Sequence, residues 1–230
     1  LSCGSTAALD AISRVHSLMP PVRRARLGYG RIMTHYVSIP DLRLALAKPS
    51  VTLSEPIRSA AVAAVIDADR NVLFISRAAS PIDPWSGNVA LPGGRVDPDD
   101  DGPLAAAIRE CQEELALDLQ DAELLGSLSD IHTAPGLPRM VVRPFVFHVT
   151  RFGELCPNYE VANTHVLGVG ALLRGVGRGT MPFDFRGSPV TLPCVDFDGV
   201  RLWGMTLRMI DDLLHRLDGR GVGLARPTVA

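Results

Sequence analysis

The sequence predicts an α+β fold in which a mixed β-sheet lies between helices. Three observations predict it. Apolar runs of strand length alternate with turn residues, one helix-length segment interrupts them near mid-chain, and a second amphipathic segment follows the last of them. The chain has 230 residues, enough for one sizeable core with extra elements at either end. Apolar residues make up 47% and charged residues 21%, the balance of a soluble globular protein.

Residues 1–57 read as an N-terminal extension, residues 58–220 as the compact domain, and residues 221–230 as a tail. Between Ala11 and Pro40 stand Arg14, Arg23, Arg24, Arg26 and Arg31, with no acidic residue. That composition suits an organelle transit peptide and equally an ordinary basic arm. A short amphipathic helix is expected around Asp41–Ala47, before Pro49. The domain opens with Ala60–Ile66 and Val72–Ile75, split by Asp67-Ala68-Asp69-Arg70-Asn71, which is a hairpin signal. A loop rich in Pro and Gly follows from Ser80 to Gly94.

Pro103 then starts a helix, since proline suits the first helical position. Leu124–Ile131 and Met140–Thr150 read as strands, and Val161 to Leu173 as a strand leading into a short helix. Thr191–Phe197 and Val200–Trp203 form a hairpin around Asp198-Gly199. The last helix carries Leu207, Ile210, Leu213, Leu214 and Leu217 on one face.

The formal charge of −2 gives no reason to expect nucleic acid or an anionic membrane as partner. No run approaches the roughly 18 apolar residues of a membrane span. Cys3, Cys111, Cys156 and Cys194 are scattered and form no C-x-x-C pair, so a zinc site or disulfide framework is not expected. A soluble protein of a reducing compartment, cytoplasmic or mitochondrial, is the expectation. Nothing in the sequence sets the oligomeric state.

The chemistry concentrates in the Pro103 helix. At 100° per residue, Leu104, Ala107, Ile108, Cys111 and Leu115 share one arc that faces the core. Glu110, Glu113 and Glu114 share another, almost opposite. Like charges at i,i+4 cost a helix about 0.2–0.5 kcal/mol per pair. Arg109 reaching Glu113 would relieve the repulsion, and so would a divalent cation, which takes several carboxylate oxygens. The helix by itself reads as a solvated acidic face.

The preceding loop changes that reading. Leu91-Pro92-Gly93-Gly94-Arg95 lets the backbone turn sharply and approach a ligand. Asp97, Asp99, Asp100 and Asp101 then crowd the helix start, where at least one is expected to cap free N–H groups.

Gly93 to Leu117 resembles the box of the Nudix hydrolase family, G-x5-E-x7-R-E-U-x-E-E-x-G-U with U aliphatic, through Arg109-Glu110-Cys111-Gln112-Glu113-Glu114. There are three departures. The spacing from Gly94 to Arg109 is one residue longer, Asp100 or Asp101 stands where the first Glu belongs, and Ala116 replaces the closing Gly. The run Pro92-Gly93-Gly94-x-x-Asp97-x-x-Asp100, with Ala106-Ala107-Ile108-Arg109-Glu110, is similar to the coenzyme A pyrophosphatase branch. Leu73-Phe74-Ile75-Ser76-Arg77 and Gly87-x-Val89-x-Leu91-Pro92 resemble that branch as well. Ile82-Asp83-Pro84-Trp85-Ser86-Gly87 departs from its loop signature.

The resemblance implies a Nudix-type α/β/α sandwich and hydrolysis of a pyrophosphate bond in a nucleoside diphosphate linked to another group. Coenzyme A or an acyl derivative is the first expectation. A broader dinucleotide or nucleotide-sugar pyrophosphatase and a non-catalytic binding module are the alternatives. Glu110, Glu113 and Glu114 would hold Mg²⁺ or Mn²⁺, Arg109 would orient them, and Glu114 is one candidate for the base. Arg77, Gly93, Gly94 and Arg95 would contact substrate, with Arg77 also readable as a strand-end surface charge. Pro157-Asn158-Tyr159-Glu160-Val161 and Leu202-Trp203-Gly204-Met205-Thr206 resemble sequence of the same relatives.

Overall fold

The computed structural model describes residues 37–47, 58–80, 85–133, 139–185 and 187–218. The arginine-rich stretch before residue 37, Ile82-Asp83-Pro84 and the C-terminal tail lie outside them.

Helix α1 (Ile39–Leu46) is started by Ser38, whose hydroxyl accepts from the Asp41 N–H while the Asp41 carboxylate accepts from the Ser38 N–H. That reciprocal pair satisfies two free donors. Leu42, Ala45 and Leu46 are buried, so this helix of the predicted extension packs on the core.

The sheet begins with β1 (Ser59–Ile66) and β2 (Asn71–Arg77), the predicted hairpin, with Asn71 hydrogen-bonded to Asp67 across the turn. The two strands pair only at Ile66 and Val72 and then splay. Two short strands occupy the gap. β3 (Val89–Ala90) pairs with β2, and β4 (Gly93–Arg95) pairs antiparallel with β1 through Ala60–Arg95, Ala61–Gly94 and Val62–Gly93. The splay brings the Gly-Gly segment beside the first strand.

Helix α2 (Gly102–Leu115) follows, then β5 (Glu123–Ser127), β6 (Ile131–His132) and β7 (Val141–His148). The expected strand Leu124–Ile131 is therefore divided at Leu128-Ser129-Asp130. β7 runs parallel to β1 in unbroken register from Ser59–Val141 to Ile66–His148. β8 (Val161–Gly168) pairs antiparallel with β2 and leads into the short helix α3 (Val169–Leu173). The sheet is mixed, as predicted.

β9 (Arg178–Phe185), β10 (Ser188–Phe197) and β11 (Val200–Trp203) form a separate antiparallel sheet, and α4 (Gly204–Asp218) closes the described structure. β9 and the first part of β10 were not expected. Pro182, Pro189 and Pro193 lie on alternate pairs of this ribbon, opposite Thr191, Asp184 and Thr180. A proline lacks the N–H, so these must be the non-hydrogen-bonded pairs, with the backbone nitrogens directed away from the partner strand. Trp203 packs on Phe183, ring centroids 5.1 Å apart.

Strand alternation sorts the core into two layers. Ala63, Val65, Leu73, Ile75 and Phe147 face α2 through Cys111 and Leu115. Ala64, Ile66, Val72, Phe74 and Val146 face α1 and α4 through Leu42, Leu46, Leu207, Ile210 and Leu214. Fully burying each such Leu, Ile or Phe contributes about 1.5–3 kcal/mol. The result is an α/β/α sandwich. Among the described residues no helix is long and apolar enough to cross a membrane.

Candidate active site

Helix α2 starts without the expected side-chain cap. Asp101 is the N-cap residue but makes no capping hydrogen bond, and Pro103 supplies the helix-compatible start. The acidic run does other work. The Asp100 carboxylate accepts from the Arg109 guanidinium at two points, both 2.9 Å, and from the Asp97 N–H at 2.7 Å. Of Asp100 and Asp101, the two candidates for the outer acidic position, Asp100 is the one bonded to Arg109.

Arg109 is the hub of the site. Besides Asp100 it donates to Glu110 at 3.1 Å, to Glu113 at 3.1 Å and to the Arg95 carbonyl at 3.0 Å. The hydrogen bond to Asp100 raises the Arg109 pKa and is the largest cause holding Asp100 below the ordinary aspartate range. The Arg95 side chain itself is exposed. Its backbone carbonyl is the part engaged with Arg109.

The three glutamates occupy different environments. Glu113 is exposed, and the Glu110 side chain is 18% exposed. Glu114 is only 2% exposed, although the helical projection set it away from the core. The covering element is β4: the Gly93 N–H donates to the Glu114 carboxylate at 2.8 Å. Burial pushes Glu114 up to about 7; neighbouring Glu110 and Glu160 add to the shift, while the Gly93 N–H and Arg77 oppose it. Burial also raises Glu110, against the opposing effect of Arg109.

Gly93 is required by space against backbone, whereas Gly94 faces only the carboxylate end of Glu110. Gly93 has φ +145°, and a Cβ there would lie 2.3 Å from the Ala61 carbonyl oxygen. A Cβ on Gly94 would lie 2.3 Å from a carboxylate oxygen of Glu110. The Gly-Gly segment therefore cradles the glutamates, one glycine donating to Glu114 and the other leaving room for Glu110.

Arg77 ends β2 and lies close enough to favour the charged form of Glu114. Its backbone is fixed by bonds with Asn88 and Gly87. The segment before β8 supplies residues to which the sequence reading gave no role. Cys156 and Asn158 donate through their N–H groups to the Leu115 and Glu114 carbonyls, each at 2.9 Å. That docking sets Glu160 near enough to raise both Glu110 and Glu114. A fourth carboxylate thus faces the site from outside the helix, and the Pro157–Val161 resemblance was its only sequence signal.

Among the described residues no group of three or more His, Cys, Asp or Glu side chains converges closely enough to hold an ion. Glu110 and Glu113 are turned to Arg109, and Glu114 to Gly93. The donor set nevertheless fits a hard cation. It is all oxygen, and it includes a buried carboxylate whose ionisation is opposed by burial and by two like charges.

Residues 56–165 match the family model described as NUDIX domain. A Yersinia pestis (strain Pestoides F) protein designated "Uncharacterized Nudix hydrolase NudL" is 29% identical over 124 residues, covering 54% of this chain and 50% of that protein. Its counterpart from Yersinia pseudotuberculosis serotype O:1b (strain IP 31758) matches to the same extent. The chain spans about half the length of the curated relatives it matches. The crystal structure of the MutT protein from Methanosarcina mazei Go1 is similar with a TM-score of 0.47 and 16% identity, over 73% of this chain and 97% of that one.

Proposed function

Since the chain carries a NUDIX domain over residues 56–165 and so belongs to the Nudix family, we propose that it is a pyrophosphohydrolase, acting with Mg²⁺ or Mn²⁺ on a nucleoside diphosphate linked to another group. The observation that carries this reading is the buried Glu114, held by the Gly93 N–H beside Glu110. Burial opposes the charged form of this carboxylate, and a divalent cation beside it would favour that form.

Glu110, Glu113 and Glu114 would hold the metal. When bound, a divalent cation neutralises charge on phosphate oxygens and lowers the pKa of a coordinated water. The chain's own residues do the rest. Arg109, braced by Asp100, fixes Glu110 and Glu113. Arg77 would meet substrate phosphate at the strand end. Gly93 and Gly94 would bring backbone against the phosphates while seating Glu114 and Glu110. Glu114 and Glu160 are the two carboxylates suited to accept a proton from the attacking water.

The leading substrate is coenzyme A or an acyl derivative, supported by the P-G-G-x-x-D-x-x-D spacing whose second Asp is the Asp100 that grips Arg109. Its designation as a Nudix hydrolase makes the Yersinia relative consistent with the reaction class. The test is hydrolysis of a panel of coenzyme A, NADH, ADP-ribose, diadenosine polyphosphates and oxidised nucleotides, with Mg²⁺ and with Mn²⁺, read as the phosphomonoester or nucleotide products separated by chromatography. Turnover on at least one is expected, and loss of at least about a hundredfold in Glu113→Gln and Glu114→Gln. No turnover on any member of the panel, or full activity in both variants, would refute the assignment.

A further inference from the structure

We propose that Asn158 is a positioning residue of the candidate active site, its N–H and its side-chain oxygen joining the end of α2 that carries Glu114 to the turn that carries Glu160. This deepens the pyrophosphohydrolase reading and rests on it.

Three stretches far apart in the chain meet at this turn. The Asn158 N–H donates at 2.9 Å to the carbonyl of Glu114, in the last turn of α2, where carbonyls have no partner within the helix. The Asn158 side-chain oxygen accepts from the Glu160 N–H at 2.8 Å, and its backbone carbonyl accepts from the Val161 N–H at 3.3 Å. Asparagine closes such a turn because its short side chain can bond the backbone two residues on. The Glu160 carbonyl in turn accepts at 2.7 Å from the N–H of Ala78, the residue after Arg77. One asparagine thus links the helix of the glutamates to the segment that bonds the end of β2.

Strand pairing alone does not set this spacing. The register of β8 with β2 shifts between Ser76 and Arg77: Ser76 pairs with Asn163 but Arg77 with Val161, leaving Ala162 as the extra residue. The sheet is therefore irregular where it enters the site, and the side-chain bond of Asn158 fixes the turn instead. Glu114 is held from two sides, its carboxylate by the Gly93 N–H and its carbonyl by the Asn158 N–H. Groups that orient metal ligands from behind typically change metal affinity or activity by about 10–100-fold when removed. Asn158 stands in that relation to Glu114.

The experiment compares the full chain with Asn158→Ala and Asn158→Ser, serine keeping a neutral side-chain acceptor. Mn²⁺ binding is measured by calorimetry without substrate, kcat and KM on the panel member that the parent hydrolyses, and the melting temperature on all three proteins. Asn158→Ala should bind Mn²⁺ about tenfold more weakly and lose about tenfold in kcat, with KM within about twofold of the parent. Asn158→Ser should bring both back to within about threefold. A merely structural bond would lower the melting temperature of Asn158→Ala and leave Mn²⁺ affinity and kcat within about twofold of the parent. That result overturns the proposal, and so does an Asn158→Ser that behaves as Asn158→Ala does. A parent that binds Mn²⁺ but hydrolyses nothing overturns the pyrophosphohydrolase reading, and the Mn²⁺ affinities still decide the role of Asn158. A parent that does neither overturns both.

Discussion

Ala116 ends α2 in the left-handed region, with φ +54° and ψ +25°, its N–H bonded to the Gln112 carbonyl. A Cβ in that conformation costs about 1–2 kcal/mol, part of which is offset because glycine loses more freedom on folding. Ala116→Gly should therefore stabilise the chain by about 0.5–1 kcal/mol, raising the melting temperature by roughly 1–4 °C. Thermal unfolding checks this, and an unchanged or lowered midpoint would refute it. The sequence made this position conspicuous, because the Nudix box closes on Gly there. It also made Arg109, Glu110, Glu113 and Glu114 conspicuous, by helical spacing joined to the Gly-Gly turn. The burial of Glu114 was not legible. A helical projection gives a side chain's angle about its own axis, and the cover over Glu114 comes from Gly93, twenty-one residues earlier in the chain.

At the scale of elements, the turn between β4 and α2 acts as a brace for the helix. Asp100 is nearly enclosed, its side chain 6% exposed, and both of its oxygens bond Arg109. Its pKa lies below the ordinary 3.8, with the Arg109 hydrogen bond the largest cause. The sign follows from that depression. The stabilisation is fully present above the unfolded value of 3.8 and is lost as pH falls through the lower folded value. Asp100→Asn should cost about 1–2 kcal/mol near neutrality, and the gap between variant and parent should close as the pH drops below 3.8. Urea denaturation of both proteins across pH 3–7 measures it; a gap that stays constant or widens in acid would sink the assignment. The four aspartates told the reader that charge belonged here without telling which one was used. They read as helix caps because cap preference is a local statistic, whereas the grip on Arg109 spans nine residues. β9 was missed for a related reason. Pro182, Gly179 and Gly187 break strand patterns, and only the register with β10 reveals that Pro182 falls where no N–H is needed.

For the molecule as a whole, the sandwich was legible and its closure was not. Strand and helix periods gave the layers, since apolar alternation directly encodes which faces are buried. The parallel pairing of β1 with β7 joins Ser59 to Val141 across more than eighty residues, and no local signal specifies it. The predicted domain began at residue 58, yet α1 contributes Leu42 and Leu46 to the layer shared with α4. Arg43 of α1 also bonds Glu123 of β5 through both carboxylate oxygens. Leu42 is fully enclosed, so Leu42→Ala should destabilise the whole fold by about 2–4 kcal/mol. A single cooperative denaturation curve shifted by that amount is the expected result. A shift under about 0.5 kcal/mol would mean that the helix is an appendage, and the domain would then begin at β1.

The ribbon of β9 and β10 has a bearing on how the molecule behaves in a crowded solution. An unpaired outer strand normally offers its backbone groups to any extended segment that drifts past, and that is how intermolecular sheets begin. On β9 the middle of that outer rail is Pro182, which has no hydrogen to offer and whose ring projects into the space an incoming strand would need. The same side chain that hid the strand from a reader of the sequence also blunts the outer edge of β9 among the described residues.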